Sequence, residues 1–207
     1  MTLTPDAEPD DVAVEGALRA NGRRDARHHL AHLQVVHPDD VPRFRELGVV
    51  ANLQAFWAAL EAQMVELTLP FLGEPRSSWQ YPFGDLHRSG ATLAMGSDWA
   101  VSTADPLAAI HVAVTRQIPE AYREGEPEHP VFLPEQRIDL ATALTAYTAG
   151  SAYVNRNDDT GTIKVGALAD LAVLDRDPFA GPPEEIASTR VLQTLVEGRR
   201  VFAATDG

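Results

Sequence analysis

The chain has 207 residues, enough for one domain with a buried core, or one domain and a small appendage. Its 44% hydrophobic and 23% charged residues match the globular balance; its lack of cysteine excludes a disulfide framework, a thiolate metal site and a cysteine nucleophile, so any metal must be held by His, Asp or Glu. Thirty acidic residues against 17 basic ones give a formal charge of −13 and a pI near 4.8, which disfavours nucleic acid and anionic membrane as partners and favours a small molecule.

The acidic leader MTLTPDAEPDD lacks the basic and apolar regions of a signal peptide, and no later stretch approaches roughly 18 consecutive apolar residues, so a soluble, cytoplasmic chain is expected. DVAVEGALRANG predicts a short helix ended by Asn21 and Gly22, which tolerate left-handed backbone. HHLAHLQVV predicts a strand, HPDDVPRFRELG a helix capped by Asp39 or Asp40 and ended by Gly48, and VVANLQ a second strand. A strand-to-strand spacing of about twenty residues is too long for a hairpin and suits a parallel pair crossed over by one helix.

Residues 55–81, rich in Trp, Met, Leu and Pro, predict a loop with helical turns lying over a site. WQYPFGDLHRSG predicts a helix closed by Gly90, and ATLAMGSD a third strand, apolar enough to be covered on both faces. DPLAAIHVAVTR predicts a helix with Asp105 at its N-cap and Pro106 in its first turn; DLATALTAYTAGSAYV predicts another, after a Pro- and Glu-rich loop at 118–136. Past residue 155 the pattern turns to antiparallel β, with a short strand in TGTIKVG, a Gly166 turn, a strand from about Asp170 to Leu174 and a hairpin hinged at Glu197-Gly198. The expected organisation is a β/α region over 1–155 and a small β region over 156–207. Three parallel strands leave two apolar edges unpaired, so the chain is expected either to be the later part of a closed (β/α) barrel or to pair with copies of itself.

Two residues stand where chemistry is built in a parallel barrel, at the C-terminal ends of strands: His32, and Asp98 in GSDW. With one strand between them their backbones would be roughly 10 Å apart, a gap that two side chains can bridge to a common ion. Asp98 would then serve as ligand and as base toward a bound water. On spacing alone, a strand-end His is more often a hydrogen-bonded or surface residue, and an Asp after Gly-Ser more often a cap. His29 and His32, three apart on a strand, are expected on opposite faces; His28 flanks the same strand. His37 at a helix entrance, His87 late in a helix and His111 among apolar neighbours read as structural, as do Trp57, Trp79 and Trp99 unless they line a pocket. Ser97 is no nucleophile elbow, because the Gly needed two places later is Trp99, and TGTIKVG is no phosphate cradle.

Taken together, HLAHLQVVHPDDVPRFRELGVVANLQ, YPFGDLHRSGATLAMGSDWAVSTADPLAAIHVAVTR, AYTAGSAY and TGTIKVGALADLAVLDRDPF with VLQTLVEGRRVF resemble the C-terminal portion of the amidohydrolase superfamily, most of all its N-substituted formamide deformylase-like branch. The resemblance runs from about residue 12 to residue 203. It implies strands six to eight of a metal-dependent (β/α)8 TIM barrel followed by strands of a small composite β-sandwich, with His32 the metal-associated His of the sixth strand and Asp98 the metal-binding, proton-shuttling Asp of the eighth. It also implies a divalent metal, zinc by preference, and a small amide-like substrate whose non-peptide C–N bond is hydrolysed by metal-activated water. The family's first-strand His-x-His, fourth-strand Lys or Glu and fifth-strand His have no counterpart here, and Ala31 and Ala100 stand where relatives often carry Glu and Pro. The chain alone is therefore expected to be inactive. The competing expectations are a non-catalytic interaction module that associates with itself or with a separate N-terminal half, and a barrel lyase or isomerase that uses Asp98 without metal.

Overall fold

The computed structural model describes residues 13–123 and 130–205. Asp11 and Val12, at the head of the first predicted helix, and residues 124–129 of the Pro- and Glu-rich loop lie outside the described residues. The first helix is α1 (Ala13–Asn21), followed by strand β1 (His29–His32). A 3-10 turn (Pro38–Asp40) leads into α2 (Val41–Leu47), which Gly48 ends in left-handed backbone at φ 70°. The cap there differs from the expectation: His37 accepts from the Asp39 backbone N–H, while the Asp40 carboxylate accepts from Arg43 Nη1 at 2.7 Å.

Strand β2 (Val50–Leu53) pairs parallel with β1, and β3 (Leu93–Met95) pairs parallel with β2, so that His32, Leu53 and Met95 stand in register. The crossover from β1 to β2 is α2, as the spacing requires. Between β2 and β3 the chain makes a 3-10 turn (Ala55–Trp57), a π-helical turn (Met64–Thr68), α3 (Leu69–Leu72), a second 3-10 turn (Arg76–Trp79) and α4 (Phe83–Arg88). Helix α5 (Pro106–Thr115) starts as expected, with Asp105 Oδ1 accepting from the Leu107 backbone N–H at 2.9 Å. Helix α6 (Leu140–Thr145) runs through a π-helical turn (Ala146–Gly150) into α7 (Ser151–Val154). This last rod packs on β3, where Ser151 Oγ donates to the Met95 carbonyl at 2.6 Å.

The core lies between the parallel sheet and these helices, with Val50, Ala51, Leu53, Phe83, Leu86 and Val112 buried. Each large side chain among them contributes roughly 1.5–3 kcal/mol relative to exposure. Arg116, fully buried, ties the core to the loop before α6: its Nε donates to the Phe132 carbonyl at 2.8 Å and its Nη1 to the Tyr81 carbonyl at 3.1 Å, between the rings of Phe83 and Phe132.

The tail forms a separate antiparallel sheet of β4 (Leu171–Leu174), β5 (Val191–Val196) and β6 (Arg199–Ala203) in that order. Glu197 and Gly198 both have positive φ, 50° and 75°, the two-residue turn whose twist suits a hairpin. The strand expected in TGTIKVG does not form. Its Ile163 and Val165 are almost fully exposed and lack a ladder partner among the described residues, and the loop is closed instead by the Leu168 N–H on the Asp159 carbonyl.

Candidate functional site

Parallel strands end on the same side, so the C-terminal rim of the sheet gathers whatever follows β1, β2 and β3. On that rim His32 Nε2 lies 3.3 Å from Asp98 Oδ2, with β2 between their strands as the topology requires. The chain brings together the two residues that the sequence singled out, and leaves the imidazole 56% and the carboxylate 29% exposed.

Both residues sit in left-handed backbone, His32 at φ 69° followed by Leu33 at 56°, and Asp98 at φ 60°. For a non-glycine residue that conformation costs roughly 1–3 kcal/mol and persists only when neighbours enforce it. For His32 the enforcing neighbour is visible. Gln54, buried just past the end of β2, accepts from the His32 backbone N–H through Oε1; its Nε2 donates to Asn52 Oδ1 at 3.0 Å, and Asn52 Nδ2 lies 3.1 Å from His29 Nδ1. Asn52 and Gln54, two apart at the end of a strand, therefore form a polar support for His32 that the sequence reading did not single out. The signal was there: an Asn and a Gln interrupting an otherwise apolar strand. Asp98 is held by its own turn, in which its carbonyl accepts from the Val101 N–H at 2.8 Å and Ser97 Oγ accepts from the Trp99 N–H at 3.2 Å. Ser97 thus closes the turn that carries Asp98.

His32 and Asp98 share a cavity of about 300 Å³ with Gln34, Trp57, Glu61 and Tyr81. The segment 55–81 does lie over the site, and Trp57 is a pocket wall, whereas Trp79 packs edge-on against His37 and Trp99 is exposed. Burial first, and then the Glu61 carboxylate, push the Tyr81 phenol above the usual range, so it remains a protonated donor at neutral pH. The other histidines stay apart from the pair: His28 and His87 are exposed, His29 contacts Asn52, and His111 is buried in α5.

One imidazole nitrogen and one carboxylate oxygen converging at this distance fit zinc in donor type, but a catalytic zinc generally takes three protein ligands. Among the described residues no group of three or more His, Asp or Glu is placed to hold a metal.

Residues 4–202 match the model of an amidohydrolase family. The chain is similar to Protein LONG AFTER FAR-RED 3 of Arabidopsis thaliana, 32% identical over 91% of this chain and 31% of that protein. It is also similar to the N-substituted formamide deformylase of Arthrobacter pascens, 27% identical over 91% of this chain and 33% of the enzyme. Among solved structures, an uncharacterized metal-dependent hydrolase from Pyrococcus horikoshii OT3 superposes with a TM-score of 0.65 at 27% identity, over 84% of this chain and 33% of that one. The chain spans about a third of the length of these relatives. With its match running almost end to end, the chain belongs to the amidohydrolase family.

Proposed function

We propose that the chain forms the strand-end rim of a metal-dependent hydrolase site that cleaves a non-peptide C–N bond in an amide or cyclic amide. The observation that carries this reading is the 3.3 Å approach of His32 Nε2 to Asp98 Oδ2 across the ends of parallel strands. In this reading β1, β2 and β3 are the sixth to eighth strands of a (β/α)8 barrel, and the sheet of β4–β6, beyond a boundary near residue 155, is part of a composite sandwich.

His32 Nε2 and Asp98 would hold a divalent ion, zinc by donor type, whose contribution when bound is Lewis acidity toward water and the scissile carbonyl. The Asp98 carboxylate takes the proton of the attacking water and delivers it to the leaving nitrogen. Gln54 fixes the backbone of His32, and Tyr81 offers a hydroxyl donor to substrate in the same cavity. Further donors must come from outside the described residues, so the chain by itself is not expected to turn over substrate. Formate release from an N-substituted formamide, measured for the chain alone and with a polypeptide carrying a His-x-His strand, tests this. Zinc-dependent release in the second arm that Asp98→Asn abolishes supports the reading. Release that survives both a chelator and Asp98→Asn contradicts it.

A second reading, an interaction module, is favoured by one observation. Strand β1 pairs only with β2 among the described residues, and a cleft of about 510 Å³ lined by Val14, Leu30, Val36 and Phe44 runs beside its other side. Such an edge invites strand addition by a second copy or by a separate barrel half. A monodisperse monomer in size-exclusion chromatography would remove that reading.

A further inference from the structure

Along β1 and β2 four polar groups form one chain of hydrogen bonds, and a group that can only donate fixes its direction. The His32 backbone N–H has no lone pair to offer, so the Gln54 atom that meets it is the amide oxygen, Oε1. The other end of that amide, Nε2, is again a donor alone and meets Asn52 Oδ1 at 3.0 Å. Asn52 is thereby turned so that its Nδ2, a third donor, lies 3.1 Å from His29 Nδ1. A donor at that ring nitrogen requires its lone pair. In the neutral ring the proton then sits on Nε2, and a protonated Nε2 has no lone pair for a metal ion. His32 is placed differently: its Nε2 meets the Asp98 carboxylate, where an ion can take the place of the proton. Histidines that ligate metals show the arrangement opposite to that of His29, with the far ring nitrogen donating to a carboxylate or carbonyl.

From this chain of bonds we infer that Asn52 is a positioning residue for metal selection: acting through His29, it locks that ring in its Nε2–H form and withholds it from a divalent ion, so that of the two histidines of β1 it is His32 that ligates, beside Asp98. The tautomer of His29 stands on the hydrogen bonds alone, and the ion at His32 and Asp98 rests on the hydrolase reading.

NMR of the isotope-labelled, metal-free 207-residue chain, at a pH where the His29 ring is neutral by its own signals, reads the tautomer directly. The expected result is an unprotonated Nδ1 and a protonated Nε2, with a scalar coupling across the bond from Asn52 Nδ2 to His29 Nδ1. Asn52→Leu, which removes the donor without adding charge, should return His29 to the tautomer mixture of a free ring. Asn52→Asp, which puts an acceptor in its place, should move the proton to Nδ1. Zinc is then titrated into all three samples. His29 is expected to take it about ten-fold more tightly in Asn52→Asp than in the wild type, with Asn52→Leu between the two. A proton on Nδ1 in the wild type, a tautomer indifferent to both substitutions, or equal zinc binding by His29 in the wild type and Asn52→Asp would overturn the inference. Should neither variant fold, the wild-type tautomer and coupling decide the matter: a mixture without the coupling also overturns it. The tautomers as stated but no zinc at His32 overturn the hydrolase reading alone, and zinc at His32 with the His29 proton on Nδ1 in the wild type overturns this inference alone.

Discussion

The side chain of Gln54 accepts a hydrogen bond from the backbone N–H of His32, so the neighbouring strand holds the residue that faces Asp98. Gln54 is buried and also donates to Asn52, which leaves it little freedom to move. Replacing it by Leu removes the acceptor and strands the Asn52 oxygen. We expect a loss of about 1–2 kcal/mol in urea unfolding, together with NMR signals showing His32 in more than one conformation. Gln54→Glu, which keeps an acceptor oxygen, should restore the single conformation.

His111 predicts a pH dependence of stability. It is buried in α5 with Nδ1 unpartnered, and burial lowers its pKa to about 4 from 6.5. The unfolded chain takes up the proton first. The contribution is therefore whole above about pH 6.5 and is lost as the pH falls toward about 4, an effect of up to about 3 kcal/mol. Denaturant midpoints measured from pH 7 to pH 4 should fall for the wild type and fall less for His111→Leu.

At Gly150 a side chain has no room. An added Cβ would come 2.1 Å from the Leu93 carbonyl oxygen, on the strand that leads to Asp98. Backbone cannot yield as a flexible side chain would, so Gly150→Ala should lower stability by about 1–3 kcal/mol and shift the amide signals of β3. An unchanged melting temperature would show that the α6–α7 rod does not sit on β3 as described.

Arg116 shows why some of the molecule was legible in the sequence and some was not. Local rules carry the elements: Asp105 before Pro106, Gly48 after α2 and Glu197-Gly198 in the hairpin act within a few residues, and each does what its type requires. The His32–Asp98 pairing was legible too, because a parallel sheet of known order brings strand ends together. A charged Arg116, by contrast, reads as surface, and only the distant carbonyls of Phe132 and Tyr81 explain its place in the core. Glu61 was silent for the same reason, since the path of the 55–81 segment depends on tertiary packing and not on its own periodicity. The TGTIKVG strand failed because a strand needs a partner, which no local pattern supplies.

Removal of the Arg116 side chain tests its role in the core. Arg116→Ala leaves the buried Phe132 carbonyl without its donor, takes one of two donors from the Tyr81 carbonyl, which keeps the Phe83 N–H, and opens a cavity beside Phe83 and Phe132; it should cost about 3–5 kcal/mol in denaturant unfolding.

The most direct test of the central claim, that His32 and Asp98 bind one divalent ion together, is a zinc titration of the isotope-labelled chain followed through its imidazole signals. The His32 ring is expected to be perturbed before His28, His29 or His37, and Asp98→Asn to remove this response without unfolding the chain. Perturbation of other histidines with His32 unchanged, or a His32 response indifferent to Asp98→Asn, would contradict it.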